Sequence, residues 1–172
     1  EMIGASVQRR EDPRLLTCDA EYTDDIQHHH EYHLAIHRSR HAHATIDEVD
    51  TAAAENTDGV VAVYTAETLR GSTAEFRLPS PDPEHGSPVA QPVLATDRVR
   101  YQGQPIAAVL ATDRYTAANA ASRIDVEYDP DDAIVDPLDA IDDADAPSVH
   151  AGADHNLAFE WDTGDRDAAT EA

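Results

Sequence analysis

Residues 100–130 read RYQGQPIAAVLATDRYTAANAASRIDVEYDP and contain three regular patterns in succession. Gly103, in the step QGQ, is best explained by a turn that needs a positive φ. The apolar run from Ile106 to Ala111 predicts a strand, and residues 124–128 alternate in polarity like a second strand. Residues 114–123, between them, predict a helix, so the stretch predicts strand, helix and strand.

The predicted helix is rich in alanine and begins behind a residue that can cap it, Thr112 or Asp113. Side chains at helical spacing are predicted to share one face; these are Tyr115, Ala118 and Ala121 or Ser122. On the other side of the turn, residues 98–101 also have strand character. A β-hairpin with the strand after the turn is the simplest assignment.

A similar succession occurs earlier in the chain. Residues 31–46 alternate with the two-residue period of strands and predict two short strands parted near Ser39. The stretch TAAAEN predicts a helix of one to two turns, residues 60–64 (VVAVY) predict a strand, and residues 66–69 predict a short helix. Two crossover units with parallel strands are therefore expected, each helix packing back onto the sheet.

Two other segments are predicted to be less regular. Residues 71–92 contain five prolines and two glycines, which predicts a long exposed loop. Beyond Tyr128 the chain is acidic with few apolar residues, and we expect a partly docked strap with one short helix. Residues 157–161 (LAFEW) have the pattern of a strand that finds no later partner in this sequence.

The charge balance excludes several classes of partner. The chain has 12 arginines, no lysine and 35 acidic residues, for a formal net charge of −23. Such a surface repels the phosphates of nucleic acid and of an anionic membrane, so neither is an expected partner. No apolar leader or 18-residue apolar stretch is present, and Cys18 is the single cysteine. These features favour a soluble protein of the cytoplasm.

Seven of the ten histidines lie between His28 and His43, which suggests a metal site because neutral imidazole binds zinc, copper and nickel. Their spacing argues against one. They share no common strand face, no cysteine accompanies them, and the motif HExxH is missing. The favoured interpretation is that these histidines replace lysine as polar surface groups, and no metal ligand is assigned.

No catalytic or cofactor-binding residue can be assigned either. The serines lack the GxSxG elbow, Cys18 sits in an acidic stretch that does not activate it, and no glycine-rich nucleotide loop occurs. Paired carboxylates such as Asp24 with Asp25, or Asp131 with Asp132, arise from the composition alone.

Four blocks, taken in order, resemble the large subunit of the xanthine dehydrogenase, aldehyde oxidase and aerobic carbon monoxide dehydrogenase family. The blocks are EDPRLLT with the following Y.DD (11–25), RS..AHA.I (38–46), GVVAV.TA (59–66), and RYQGQPIAAV with the helix and strand after it (100–129). The resemblance extends over roughly residues 3–165. It implies the α/β hammerhead domain, an α+β fold of two layers with two strand-helix-strand units.

The resemblance also implies how the complete enzyme works. A molybdenum ion on a pterin cofactor hydroxylates a substrate carbon or oxidises carbon monoxide, with iron–sulfur clusters and FAD on partner domains or subunits. The molybdenum-site residues of the family lie in segments outside this sequence, so no catalytic, cofactor-binding or metal residue is carried over. Expected partners are the molybdopterin-binding domain and the iron–sulfur and FAD subunits, and this segment is expected to bind no cofactor itself.

Three parts are expected along the chain. These are an N-terminal arm (1–26), the α/β hammerhead domain (27–145), and a linker with the first strand of the molybdopterin-binding domain (146–172). The leading hypothesis is a structural and docking domain without activity of its own. The alternative is a free-standing acidic adaptor, or a His-rich metal-binding protein, with the same fold.

Two positions depart from the family pattern. Cys18 stands where the family usually has glycine after LLT, and residues 28–30 (HHH) stand where it usually has a short proline-glycine turn. If the first position needs a positive φ, a side chain there costs roughly 1–2 kcal/mol.

The acidic surplus predicts a folded state that depends on salt, as in haloarchaeal proteins. Repulsion among 35 carboxylates opposes compaction in dilute buffer, and molar KCl shortens the screening length to roughly 3 Å. We expect the thermal midpoint, followed by circular dichroism, to rise steeply between dilute buffer and molar KCl. A midpoint indifferent to salt contradicts this expectation.

Overall fold

The computed structural model describes residues 3–26, 28–77, 90–142, 146–150, 156–158 and 164. The chain divides into two units, Glu1–Tyr32 and His33–Ala172. In the first unit, helix α1 spans Asp12–Leu16, with Pro13 in its first turn, and a 3-10 turn spans Thr23–Asp25. Proline is tolerated there because the first amides of a helix have no intrahelical partner.

The second unit combines short helices with two antiparallel three-stranded sheets. Its described strands are, in chain order, β1 (His33–Arg38), β2 (Ala44–Asp50), β3 (Val60–Thr65), β4 (Phe76–Arg77), β5 (Ala90–Gln91), β6 (Arg98–Val99), β7 (Pro105–Ala111) and β8 (Asp125–Pro130). Its described helices are α2 (Ala52–Glu55), α3 (Arg114–Ala121) and α4 (Pro137–Asp142).

The first sheet, sheet A, forms around the most apolar strand of the chain. β7 lies between β1 and β3 and is antiparallel to both. Five of its seven residues are buried, which fits a strand that is apolar on both faces. The face that carries Val109, with Ala35 of β1 and Val63 of β3, joins the core.

The second sheet, sheet B, has one apolar and one acidic face. β2 lies between β6 and β8 and is antiparallel to both. Ile46 and Val49 of β2 pack into the core opposite Tyr128 and Val126 of β8. The alternate positions carry exposed carboxylates, which is the usual pattern of a sheet with one solvated face.

Both strand-helix-strand successions are present, but the expected parallel strand pairs are wrong. β2 and β3 lie in different sheets, as do β7 and β8, and every described strand pair is antiparallel. The expected hairpin is wrong as well, because β6 pairs with β2 and not with β7. Helices α2 and α3 therefore carry the chain from one sheet to the other. Polarity patterns alone cannot distinguish this route from a crossover within one sheet.

Helix α3 begins at a well-formed cap, as predicted. Oδ1 of Asp113 accepts hydrogen bonds from the amides of Tyr115 (2.9 Å) and Thr116 (3.0 Å). The hydroxyl of Thr116 also donates to Asp113, and these hydrogen bonds hold the pKa of this carboxyl below its ordinary value. Such a cap satisfies amides that have no partner inside the helix.

The predicted face of α3 coincides with the buried one only at Ala121. The buried residues are Ala117, Ala120 and Ala121, whereas Tyr115 is 82% exposed. Small side chains let the helix approach sheet A closely, and Gly59 adds to this close contact. A Cβ at Gly59 would lie 3.1 Å from Oγ1 of Thr112, and the φ of +88° there also favours glycine.

The remaining predictions have mixed outcomes. Helices α2 and α4 confirm the expected short helices, but residues 66–69 form turns and no helix. Within the loop predicted over residues 71–92, β4 and β5 pair as a small ribbon, and residues 78–89 lie outside the described part. Of the predicted strand LAFEW, Leu157 and Ala158 belong to no strand, and residues 159–161 lie outside the described part of the chain. No helix within the described ranges is long and apolar enough to cross a membrane.

Two turns have the positive φ that the sequence suggested. Gly103 has a φ of +89°, which confirms the predicted turn, and Cys18 has a φ of +60° directly after α1. The amide of Asp19 donates to the carbonyl oxygen of Arg14 (2.8 Å), as in a Schellman cap, a motif in which glycine usually occupies the position of Cys18.

Replacing Cys18 by glycine should stabilise this cap by about 1 kcal/mol, because the backbone strain of the side chain disappears. We expect hydrogen exchange of the Asp19 amide to slow about fivefold after correction for intrinsic rates. Cys18→Ala keeps the Cβ and is the matched control, with no slowing expected. Equal slowing in both variants contradicts the assignment.

Carboxylates stand opposite each other across sheet B. Glu48 of β2 pairs with Glu127 of β8, and Asp50 pairs with Asp125, and all four are exposed. Like charges directly opposite on a sheet are destabilising. The strand register therefore adds a local reason for dependence on salt.

Glu127→Lys should raise the free energy of unfolding by about 0.5 kcal/mol in dilute buffer, because it turns a repulsive pair into an attractive one. The gain should shrink in molar KCl. Asp47→Lys is the control, since Asp47 lies at a bulge without a partner on β8 and changes the net charge equally. Urea unfolding measures both, and equal gains in the two variants contradict the pairwise repulsion.

Candidate functional site

Two motifs that are distant in sequence meet where the chain passes between the sheets. Residues 39–43 lead from β1 in sheet A to β2 in sheet B, and residues 100–104 lead from β6 in sheet B to β7 in sheet A. The amide of Ser39 donates to the carbonyl oxygen of Gln104 (2.9 Å), and the amide of Gly103 donates to the carbonyl oxygen of Ser39 (2.9 Å). We call these paired segments the sheet crossing.

Buried polar side chains fix the sheet crossing from within. Ser39 and Gln104 are 4% and 5% exposed. The Ser39 hydroxyl donates to the carbonyl oxygen of His41 (2.8 Å) and accepts from its amide (3.0 Å), while Oε1 of Gln104 accepts from the amide of Arg100 (2.6 Å). Because water is excluded here, these side chains supply the partners that the backbone of each segment needs.

Arg98 joins β6 to β2 and to the chain just after β8. Its Nη1 lies 3.2 Å from Oδ2 of Asp131 and 3.3 Å from Nε2 of His43, and its Nη2 donates to Oγ1 of Thr45 (3.1 Å). The pair with Asp131 is only partly buried, so solvent weakens the attraction. The planar guanidinium stabilises the fold because it holds Asp131, His43 and Thr45 in fixed positions around it.

His43 is an internal connector, and its interpretation as a polar surface group is wrong. The residue is 7% exposed, and its Nδ1 lies 3.0 Å from the carbonyl oxygen of Asp132. A carbonyl only accepts and the guanidinium of Arg98 only donates, so the neutral tautomer with the proton on Nδ1 satisfies both contacts. His43 thereby ties the start of β2 to the chain after β8.

The other histidines of the segment take separate places. Nδ1 of His37 lies 2.9 Å from the carbonyl oxygen of Ala121, at the end of α3, so His37 is also an internal connector. The ring of His41 lies 4.8 Å from that of Tyr128, and burial raises the pKa of Tyr128. Residues 28–30 are exposed and belong to the first unit, where His30 has a φ of +70°.

Arg100 is the first residue of the second segment of the sheet crossing, and its side chain contacts Arg98 and Asp97. Its Nη1 donates to the carbonyl oxygen of Arg98 (3.2 Å), and its Nη2 lies 3.8 Å from Oδ1 of Asp97. Nε of Arg100 is buried and has no hydrogen-bond partner among the described residues. Burial, and next the charge of Arg100, lower the pKa of His150. A charged imidazole is disfavoured here first by the loss of hydration and then by repulsion from the Arg100 guanidinium.

The described residues offer no cluster of side chains that could hold a metal ion. No three of their His, Cys, Asp or Glu side chains converge on a possible metal position. With Cys18 as the single cysteine of the chain, the four thiolates that an iron–sulfur cluster commonly takes are lacking. An open groove of about 520 Å³, lined by residues 133–137, 139, 146 and 147, has two carboxylates, Asp136 and Asp139, on its described lining. No catalytic step can be derived from such a groove.

Apart from Gly103, whose turn was predicted, the residues of the sheet crossing were not predicted individually from the sequence. Ser39 and His43 belong to the block RS..AHA.I, and Gln104 belongs to RYQGQP, so the blocks themselves were the available signal. Nothing in either block indicates which distant block it contacts.

Comparison with known proteins assigns the fold to a family. Residues 17–132 match the family described as aldehyde oxidase and xanthine dehydrogenase, a/b hammerhead domain. The chain is 42% identical to the 6-hydroxypseudooxynicotine dehydrogenase complex subunit gamma of Paenarthrobacter nicotinovorans, over 81% of this chain and 18% of that protein. It is 34% identical to the carbon monoxide dehydrogenase large chain of Afipia carboxidovorans, over 96% of this chain and 21% of that one.

Among solved structures, quinoline 2-oxidoreductase from Pseudomonas putida 86 superposes with a TM-score of 0.71 at 34% identity, over 80% of this chain and 17% of that one. The chain thus spans about a fifth of the length of these relatives. The family match over residues 17–132 covers both sheets and the sheet crossing between them. The chain belongs to the aldehyde oxidase and xanthine dehydrogenase family, as an α/β hammerhead domain.

Proposed function

We propose that this chain is a structural and docking domain of a molybdenum hydroxylase large subunit and is not catalytic in isolation. The observation that carries the proposal is the extent of the match, which takes in nearly all of this chain but only about a fifth of each relative. Three polar residues of this chain that form hydrogen bonds within the domain also support this role. Ser39, Gln104 and His43 bond within the domain and hold the two sheets together.

The proposal places the chemistry on other polypeptide. A molybdenum–pterin cofactor supplies hydroxylation or oxidation when bound, and iron–sulfur clusters and FAD on partner domains or subunits carry the electrons. The solved relative described as a Cu,Mo-CO dehydrogenase supports the molybdenum part of this assignment. The proposed boundaries are an arm over residues 1–26, the hammerhead over 27–145, and a linker into the molybdopterin-binding domain over 146–172.

The proposed setting is a salt-rich cytoplasm. The net charge of −23 and the carboxylate pairs across sheet B both favour folding at high ionic strength. A single cysteine is compatible with a reducing compartment.

The alternative is a free-standing acidic adaptor or His-rich metal-binding protein with the same fold. The His-rich segment is the feature that favours it. The contacts of His37 and His43 weigh against it, because their Nδ1 atoms lie at the carbonyl oxygens of Ala121 and Asp132.

The test compares two preparations. We expect the polypeptide that carries this sequence, purified from the cells that make it, to contain molybdenum and to copurify with iron and FAD. The 172-residue chain produced alone should contain no molybdenum and should oxidise neither purines, aldehydes nor carbon monoxide. Metal analysis and dye-coupled assays measure both. Turnover or bound pterin in the 172-residue chain, or a native polypeptide free of molybdenum, contradicts the proposal.

A further inference from the structure

Sheet A has a second apolar face, opposite the one that joins the core. The strand register places Leu34 of β1, Leu110 of β7 and Ala62 of β3 in one cross-strand row, and Ile36, Ala108 and Tyr64 in the next. Successive residues of a strand point to opposite faces, so both rows point away from the face that carries Val109. We call these six residues the outer face. Leu34 on it is 59% exposed, Ala108 is buried, and the other four residues are partly buried.

The outer face lacks the charge that marks the other exposed surfaces of the chain. About one residue in five is acidic, yet β1, β3 and β7 contain no aspartate or glutamate. β2 and β8 of sheet B, in contrast, carry three acidic residues each. The two sheets therefore differ in charge on the faces that turn away from the core. The acidic face of sheet B suits contact with water, whereas the outer face of sheet A suits contact with another apolar surface.

The size of the outer face indicates what kind of partner covers it. Three strands about 4.8 Å apart, and two rows along them, give roughly 200 Å². A stable complex between free proteins buries about 800 Å² on each partner. A second copy would also bring another net charge of −23 into contact. A partner in the same polypeptide avoids the difficulty of size, because covalent linkage raises its effective concentration and lets a small face suffice.

We infer that the outer face is an intramolecular docking face, covered by the polypeptide that completes the large subunit. This inference rests on the proposed function, and it names the surface through which the docking takes place. The partner surface is apolar at its centre, to match Leu34, Ile36 and Leu110.

Thiol labelling tests the inference at two matched positions in a Cys18→Ser background. Leu34→Cys places a thiol on the outer face, and Glu48→Cys places one on the acidic face of sheet B. Each is introduced into the 172-residue chain and into the complete large subunit, in molar KCl, with the fold checked by circular dichroism. Mass spectrometry of the peptide that carries each position follows the rate of maleimide labelling.

We expect labelling at position 34 to be at least tenfold slower in the complete subunit than in the 172-residue chain, with position 48 labelled alike in both. Equal rates at position 34 in a subunit that contains molybdenum overturn the inference but leave the proposed function standing. A native polypeptide without molybdenum overturns both. Protection at position 34 that grows with the concentration of the 172-residue chain assigns the face to a second copy and also overturns the inference.

Discussion

The fold depends on the sheet crossing, where two passages of chain between the sheets lie side by side. Each passage contains a buried polar residue, Ser39 in one and Gln104 in the other, and buried polar groups need hydrogen-bond partners. The hydrogen bonds that Ser39 exchanges with Gly103 and Gln104 supply these partners, together with the side chains of Ser39 and Gln104. An unpaired buried polar group costs about 1–3 kcal/mol, so losing either side chain affects both sheets at once.

The sheet crossing also explains why several polar residues lie together among the described residues. Arg98 and His43 extend the same network to the chain after β8, where Asp131 and the carbonyl oxygen of Asp132 receive them. Basic groups are scarce in this chain, and of these two His43 is buried and Arg98 is partly buried. The carboxylates instead occupy the solvated face of sheet B. These basic groups thus take part in contacts that hold the domain together, whereas the carboxylates lie on a surface that faces water.

Local elements could be predicted from the sequence, but their assembly could not. Alternation and capping located β7, α3 and β8, and the cap at Asp113 is present as expected. The parallel strand pairs were predicted wrongly, because a helix between two strands has the same pattern whether it returns to its own sheet or leads to another. Ser39, His43 and Gln104 were missed because their contacts are long-range. The positive φ at Cys18 was anticipated only through the family resemblance.

Native-state hydrogen exchange at the sheet crossing tests the central claim most directly. The amides of Ser39 and Gly103 lie outside the strands, yet in this account they open only when both sheets unfold. Their opening free energies, measured in molar KCl, should equal those of the amides in the centre of β7. Exchange of Ser39 and Gly103 at the rate of exposed turn amides, while β7 stays protected, would show that the two sheets hold together without the sheet crossing.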